Sequence, residues 1–157
     1  MEKITDVKFK ELLSRLQKEV LKAKGFKKSG SNFRLFLPDG TSQIINLQKS
    51  QFNDQTCSFT LNVGIYFQKD PQNPYLRFKE YECAVRTRVA GISSRYVGDK
   101  WWEITDVTDS DQLYSEFFLL MTEDILPWLE QLTSRRDVIR AGQSGKLRNM
   151  IWGNVYA

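Results

Sequence analysis

Residues 57–67 read CSFTLNVGIYF. Phe59, Leu61, Val63, Ile65 and Phe67 alternate with Ser58, Thr60, Asn62 and Gly64, and a period of two marks a strand with one face on a core. The apolar positions carry aromatic and branched side chains, which suit a pleated, half-buried surface. Toward the amino terminus, segment 41–49 (TSQIINLQK) reads as a second strand, and Phe33, Leu35 and Leu37 alternate ahead of it. Pro38-Asp39-Gly40 between them makes a turn, with φ fixed by the proline and left free by the glycine. Toward the carboxyl terminus a proline-containing loop, 69–74, leads to 81–90 (YECAVRTRVA). There the alternation places Cys83, Val85 and Val89 on one face and Arg86 and Arg88 on the other. KWWEIT at 100–105 reads as a short closing strand.

Helical spacing flanks this run of strands. Phe9, Leu12, Leu13, Leu16, Val20 and Leu21 recur at intervals of three and four, which predicts a helix over about 5–24 with one apolar face. Gly25 follows at the position where helices end in a left-handed residue, with Phe26 ready to fold back as its apolar contact. After Asp109 or Ser110, either of which serves as an N-cap, Leu113, Phe117, Leu120 and Met121 restore the helical period. Trp128, Leu129 and Leu132 extend it past Pro127, whose missing N–H predicts a kink or break near 124–127. Residues 133–157 read as a docked basic tail with room for a short helix. Successive strands without intervening helices pair antiparallel. The expected fold is therefore α+β, one domain over 1–157. An antiparallel sheet of four to five strands has one face covered by an N-terminal helix and a C-terminal kinked helix.

Composition narrows the chemistry. The 157 residues are 41% hydrophobic and 13% aromatic, proportions of a chain that buries a core. No stretch is apolar enough to span a bilayer, and the charged opening MEKITDVKFKELL lacks a signal peptide's apolar run. The expectation is a cytoplasmic protein with no membrane partner. There is no histidine, which removes His-activated nucleophiles, His general bases and His-containing metal sites. Cys57 and Cys83, both inside strand-like segments, read as buried reduced thiols. GQSGK at 142–146 lacks the first glycine of a phosphate loop, and Leu147 stands where Ser or Thr would hold Mg²⁺. No cofactor, no metal and no catalytic residue are expected, and the chain reads as a non-enzyme. Its net charge of +4 is unevenly spread: nine Lys/Arg oppose four acids in 1–28, nine oppose fourteen in 29–132, and five oppose one in 133–157. No Lys/Arg run exceeds two residues, which argues against nucleic acid as the main partner.

The face of the sheet away from the core carries the candidate site. Counting by twos assigns it Asn46, Gln48 and Ser50, then Ser58, Thr60, Asn62 and Gly64, then Glu82, Arg86 and Arg88. A sheet face open to water needs polar residues for no further reason, but Asn is poorly represented in strands. Two arginines at i and i+2 point the same way, and their planar forks suit carboxylates and phosphates. Like charges so close need compensation, either from Glu82 and Glu103 or from an external anion. In a strand, Trp101-Trp102 can place one indole inward and the other outward, where it could stack on a partner; the alternative is that helices bury both. The candidate binding set is Arg86, Arg88, Asn46, Gln48, Thr60, Asn62 and Trp101.

Six stretches taken together, GFKKSGSNF (25–33), IINLQKSQF (44–52), FTLNVGIYF (59–67), YECAVRTRV (81–89), DKWWEI (99–104) and LPWLEQL (126–132), resemble a bacterial family, the 4304 family of domains of unknown function. They occur in order and cover most of 20–132; residues 133–157 lie outside the resemblance. The resemblance implies no activity. By subtraction, the expected function is a non-catalytic protein-interaction module, immunity-type or regulatory. The alternative is a binder of an anionic small ligand or nucleic acid through the polar sheet face.

Overall fold

The computed structural model describes residues 2–50, 56–153 and 155. Its first helix, α1 (Ile4–Leu16), continues through a π-helical turn at Gln17–Leu21 and a 3-10 turn at Lys22–Lys24. It stops where expected. Gly25 takes φ +93°, and the Phe26 N–H returns to the Leu21 carbonyl at 3.1 Å, closing the helix end.

Six strands follow: β1 (Lys27–Ser29), β2 (Asn32–Phe36), β3 (Thr41–Lys49), β4 (Cys57–Phe67), β5 (Val85–Arg88) and β6 (Trp102–Ile104). All pairs are antiparallel in the order β1-β2-β3-β4-β5, with β6 also on β4. Because β3 runs along one whole edge of β4, β5 and β6 share the other edge end to end. The sequence pattern contains no sign of β1. Its three residues are all exposed, and Gly30 at φ +60° turns them back onto β2.

Three helices complete the chain: α2 (Ser110–Leu119), α3 (Leu126–Glu130) and α4 (Arg135–Gln143). Asp109 is the N-cap of α2, its carboxylate accepting from the Asp111 and Gln112 N–H groups. Between α2 and α3 the helix does not break. It widens into a π turn at Leu120–Ile125, and the Leu126 N–H reaches back to Met121. Pro127 then sits at the start of α3, and the wider turn before it accommodates the missing N–H donor. The expected disruption at 124–127 thus appears as a wider turn just before the proline. In the tail, α4 is followed by a bridge from Ile151 to Val85; Asn154, Tyr156 and Ala157 lie outside the described residues.

The register fixes the two faces. Val63 opposes Ile45 and Leu61 opposes Leu47, and all four are buried under the helices. Phe9, Phe59, Trp102 and Phe117 meet in this core, with ring centroids 4.7–5.7 Å apart along the chain Phe9–Phe59–Trp102–Phe117. A second cluster, holding Ile65, Val85, Val138, Leu147 and Met150, seals the end beneath α4 and the tail.

Two expectations about the opposite face require correction. Residues 81–90 are not one strand: Glu80–Glu82 and Val89–Gly91 are 3-10 turns, and only Val85–Arg88 pair with β4. The chain bends ahead of β5, with the Ala84 N–H on the Ile65 carbonyl. Cys83 therefore packs on the face away from Val85, against Gly64, and Glu82 leaves the polar face to bond the Lys79 N–H. Nor is that face open throughout. Ile44, Phe36 and Tyr66 are apolar there, and Phe78 and Cys83 from the 68–84 loop cover them. Arg34 fastens the cover, its Nε donating to the Phe78 carbonyl at 3.0 Å.

Candidate functional site

The part of this face left uncovered carries the predicted residues. In register, Asn32, Asn46, Asn62 and Arg88 stand in one row across four strands, with Gln48 opposite Thr60 and Gly64 opposite Arg86. The amides bond one another in a ladder. Asn46 Nδ2 donates to Asn32 Oδ1 (2.7 Å), and Asn62 Nδ2 donates to Asn46 Oδ1 (3.1 Å) and Gln48 Oε1 (2.9 Å). Buried Thr60 donates its hydroxyl to the Lys100 carbonyl at 2.7 Å, which ties down the segment leading into β6. These five residues form a hydrogen-bonded floor, as partly buried polar groups do.

The arginines project from that floor with internal acid partners. Arg86 makes a two-pronged contact with Glu80, Nε to Oε1 at 3.0 Å and Nη2 to Oε2 at 3.2 Å. Arg88 Nη1 lies 3.4 Å from Asp99 Oδ2. The compensating acids are thus Glu80 and Asp99, not Glu82 and Glu103. Glu80 is placed by the 3-10 turn and Asp99 by the loop before β6, positions invisible to strand counting.

Each arginine also has an indole beside it. Arg88 lies 5.6 Å from the Trp101 ring centroid and Arg86 5.2 Å from that of Trp152. Trp101 is 39% exposed and Trp152 68%. Trp102 points the other way, buried, with its Nε1 donating to Glu116 at 2.7 Å. Trp152 and Asn149 are the residues that sequence reasoning missed. Both come from the tail, which returns to β5 through the Arg86 N–H to the Met150 carbonyl and the Trp152 N–H to the Ala84 carbonyl. Together with Gln48, Asn62 and the arginines they line a concavity of about 280 Å³. The resulting strip runs Trp101, Arg88, Arg86, Trp152.

Burial pushes both thiols up, that of Cys83 most, with neighbouring Glu80 adding to it. Both stay protonated at neutral pH and offer no thiolate. Among the described residues no group of three or more Cys, Asp or Glu side chains is placed to hold a metal ion, and no helix is long and apolar enough to cross a membrane. No curated protein and no solved structure matches the chain. The family model described as "Domain of unknown function (DUF4304)" matches residues 17–131, from the end of the first helix through α3, and the chain belongs to that family.

Proposed function

We propose that the chain is a non-catalytic protein-interaction module, immunity-type or regulatory, and that its contact surface is the strip Trp101–Arg88–Arg86–Trp152. The observation that carries this reading is the pair of exposed indoles, each beside an arginine, on a polar floor that is already hydrogen-bonded. Tryptophan and arginine dominate the energetics of protein interfaces, because they bury much area while keeping a polar handle. The Glu80 contact holds Arg86 in place beforehand, which lowers the entropy lost on association. Glu80 and Asp99 also balance the two arginines, so the strip is not a trap for free anions. That distinction favours a protein partner over the phosphate or nucleic-acid alternative.

The test compares the parent with a Trp101→Ala/Trp152→Ala variant as immobilised bait in extract from the source cells. One protein retained by the parent, lost by the variant and bound at 1:1 after purification is the expected result, with both baits melting at the same temperature. Equal retention by both baits would place the interface elsewhere. Phosphate or oligonucleotide raising the parent's melting temperature, but not that of Arg86→Ala/Arg88→Ala, would favour the anion reading instead.

A further inference from the structure

A cavity between α3 and α4 shares no lining residue with the tryptophan–arginine strip. It is a groove of about 810 Å³, open to solvent on one side. This volume is that of a small-molecule site. Trp128, Leu132, Ala141 and Leu147 give it an apolar wall. Leu132 and Leu147 are nearly fully buried beneath it, so the wall is fixed by the second core cluster.

The charges around the groove are unequal in a way their number conceals. Two acids, Glu130 and Asp137, and two cations, Arg140 and Lys146, line it. The acids are engaged. Glu130 pairs with Lys24 at 3.2 Å, and Asp137 accepts from the Thr133 N–H and hydroxyl at 3.3 Å each. Asp137 also stands in the first turn of α4, where the helix dipole favours a negative charge. Neither Arg140 nor Lys146 has a side-chain hydrogen bond or ion pair among the described residues. The groove therefore presents an apolar wall with two unused cations at its rim.

We propose that this groove binds a small amphipathic organic anion, its aromatic or branched apolar body against Trp128 and Ala141, which the buried Leu132 and Leu147 support from beneath, and its carboxylate or sulfonate beside Arg140 and Lys146. A neutral apolar ligand would leave both cations unused. An inorganic anion would leave the wall wet. Only a molecule with both parts answers the whole surface. The competing explanation is that these cations merely offset the negative end of the α4 dipole, and the two differ in outcome. The site is separate from the tryptophan–arginine strip, so either assignment stands without the other.

The test uses two probes with one apolar skeleton, 8-anilinonaphthalene-1-sulfonate and its uncharged counterpart N-phenyl-1-naphthylamine, titrated by fluorescence into the native full chain. The expected result is saturable binding of one sulfonate probe per chain. The neutral probe should bind about tenfold or more weaker, having lost the charge-assisted contacts. Arg140→Gln/Lys146→Gln should weaken the sulfonate probe by a similar factor. Ser144→Trp, which places an indole at the groove's rim and keeps both cations in the chain, should abolish binding while the melting temperature holds. Trp101→Ala/Trp152→Ala should bind the probe like the parent. Equal affinity for the two probes, several weak sites per chain, or unchanged binding in the glutamine or Ser144→Trp variants would each overturn the proposal. So would loss of binding in the Trp101→Ala/Trp152→Ala variant.

Discussion

Gly64 gives the sharpest test of how the far face is closed. It lies in β4 opposite Ile44 and Arg86, and its backbone is ordinary strand. Alanine would meet no dihedral strain there and would even gain a few tenths of a kcal/mol in backbone entropy. The obstacle is spatial. A Cβ at Gly64 would stand 2.7 Å from Cys83 Sγ, 3.0 Å from Cys83 Cβ and 3.3 Å from Ile44 Cγ2. Overpacking of this kind costs about 1–3 kcal/mol, so Gly64→Ala should lose about 1–2 kcal/mol net and lower the melting temperature by roughly 2–8 °C for a chain of this size. Cys83→Ala alone removes a buried sulfur and should cost about 1 kcal/mol. The informative variant is the double. If Sγ is the obstacle, Gly64→Ala/Cys83→Ala should be about as stable as Cys83→Ala alone, a coupling of about 1 kcal/mol or more. Urea and thermal melts of the four proteins measure it. Additive losses, or a Gly64→Ala protein as stable as the parent, would refute the contact and with it the docking of the 79–84 segment that brings Glu80 to Arg86.

Leu61 is fully buried opposite Leu47, and Leu61→Ala should cost about 2–5 kcal/mol; an unchanged melting curve would mean that the parity of β4 is inverted. Asp39, in the β2–β3 turn, accepts from the Thr41 N–H at 2.9 Å and the Arg135 N–H at 3.0 Å, joining that turn to the start of α4. Burial raises its carboxyl pKa, but these backbone donors outweigh it and hold the group below its ordinary value. A depressed carboxyl stabilises the fold above its unfolded pKa and loses that contribution as pH falls through the folded one. Stability of the parent should therefore decline more steeply than that of Asp39→Asn below about pH 4, and parallel acid titrations of the two proteins would count against the bond to α4.

The features legible in the sequence were those with local causes. The alternation in 57–67 placed Leu61 and Val63 inward and Thr60 and Asn62 outward, because side-chain parity in a strand is a property of neighbours. Gly25 and Asp109 marked helix ends through groups within a turn of themselves. What escaped depended on distant segments. Lys27–Ser29 form a strand only because β2 is there to receive them, and an exposed Lys-Lys-Ser has no apolar signature. Cys83 continues the alternation in sequence, but the chain bends before β5 and sends its side chain to the other face. The acids beside the arginines were misassigned for the same reason. Glu80 and Asp99 arrive from a turn and a loop, while parity names only residues on strands. Of the candidate set, the structure brings Asn46, Gln48 and Asn62 into one ladder, and Arg88 beside Trp101. It assigns Thr60 to fixing the neighbouring loop.

The tail shows how one segment divides its work between holding the fold and presenting a surface. Leu147, Met150 and Val155 turn inward onto Ile65 and Val85 and close the end of the sheet. Ile151 lies along the β5 edge, and Trp152 stands outward over Arg86. Burial of the first three supplies the free energy that keeps the segment docked. The backbone bonds from Arg86 to Met150 and from Trp152 to Ala84 fix its register on the edge. A large indole left 68% exposed at such a position contributes little to the core, so packing does not account for its presence. The matched region 17–131 provides the amide floor and both arginines, whereas Trp152 and Asn149 come from beyond it. A surface assembled this way has a floor held by the sheet and one wall held by the tail. The exposed indole of that wall can change without disturbing the packing that supports it.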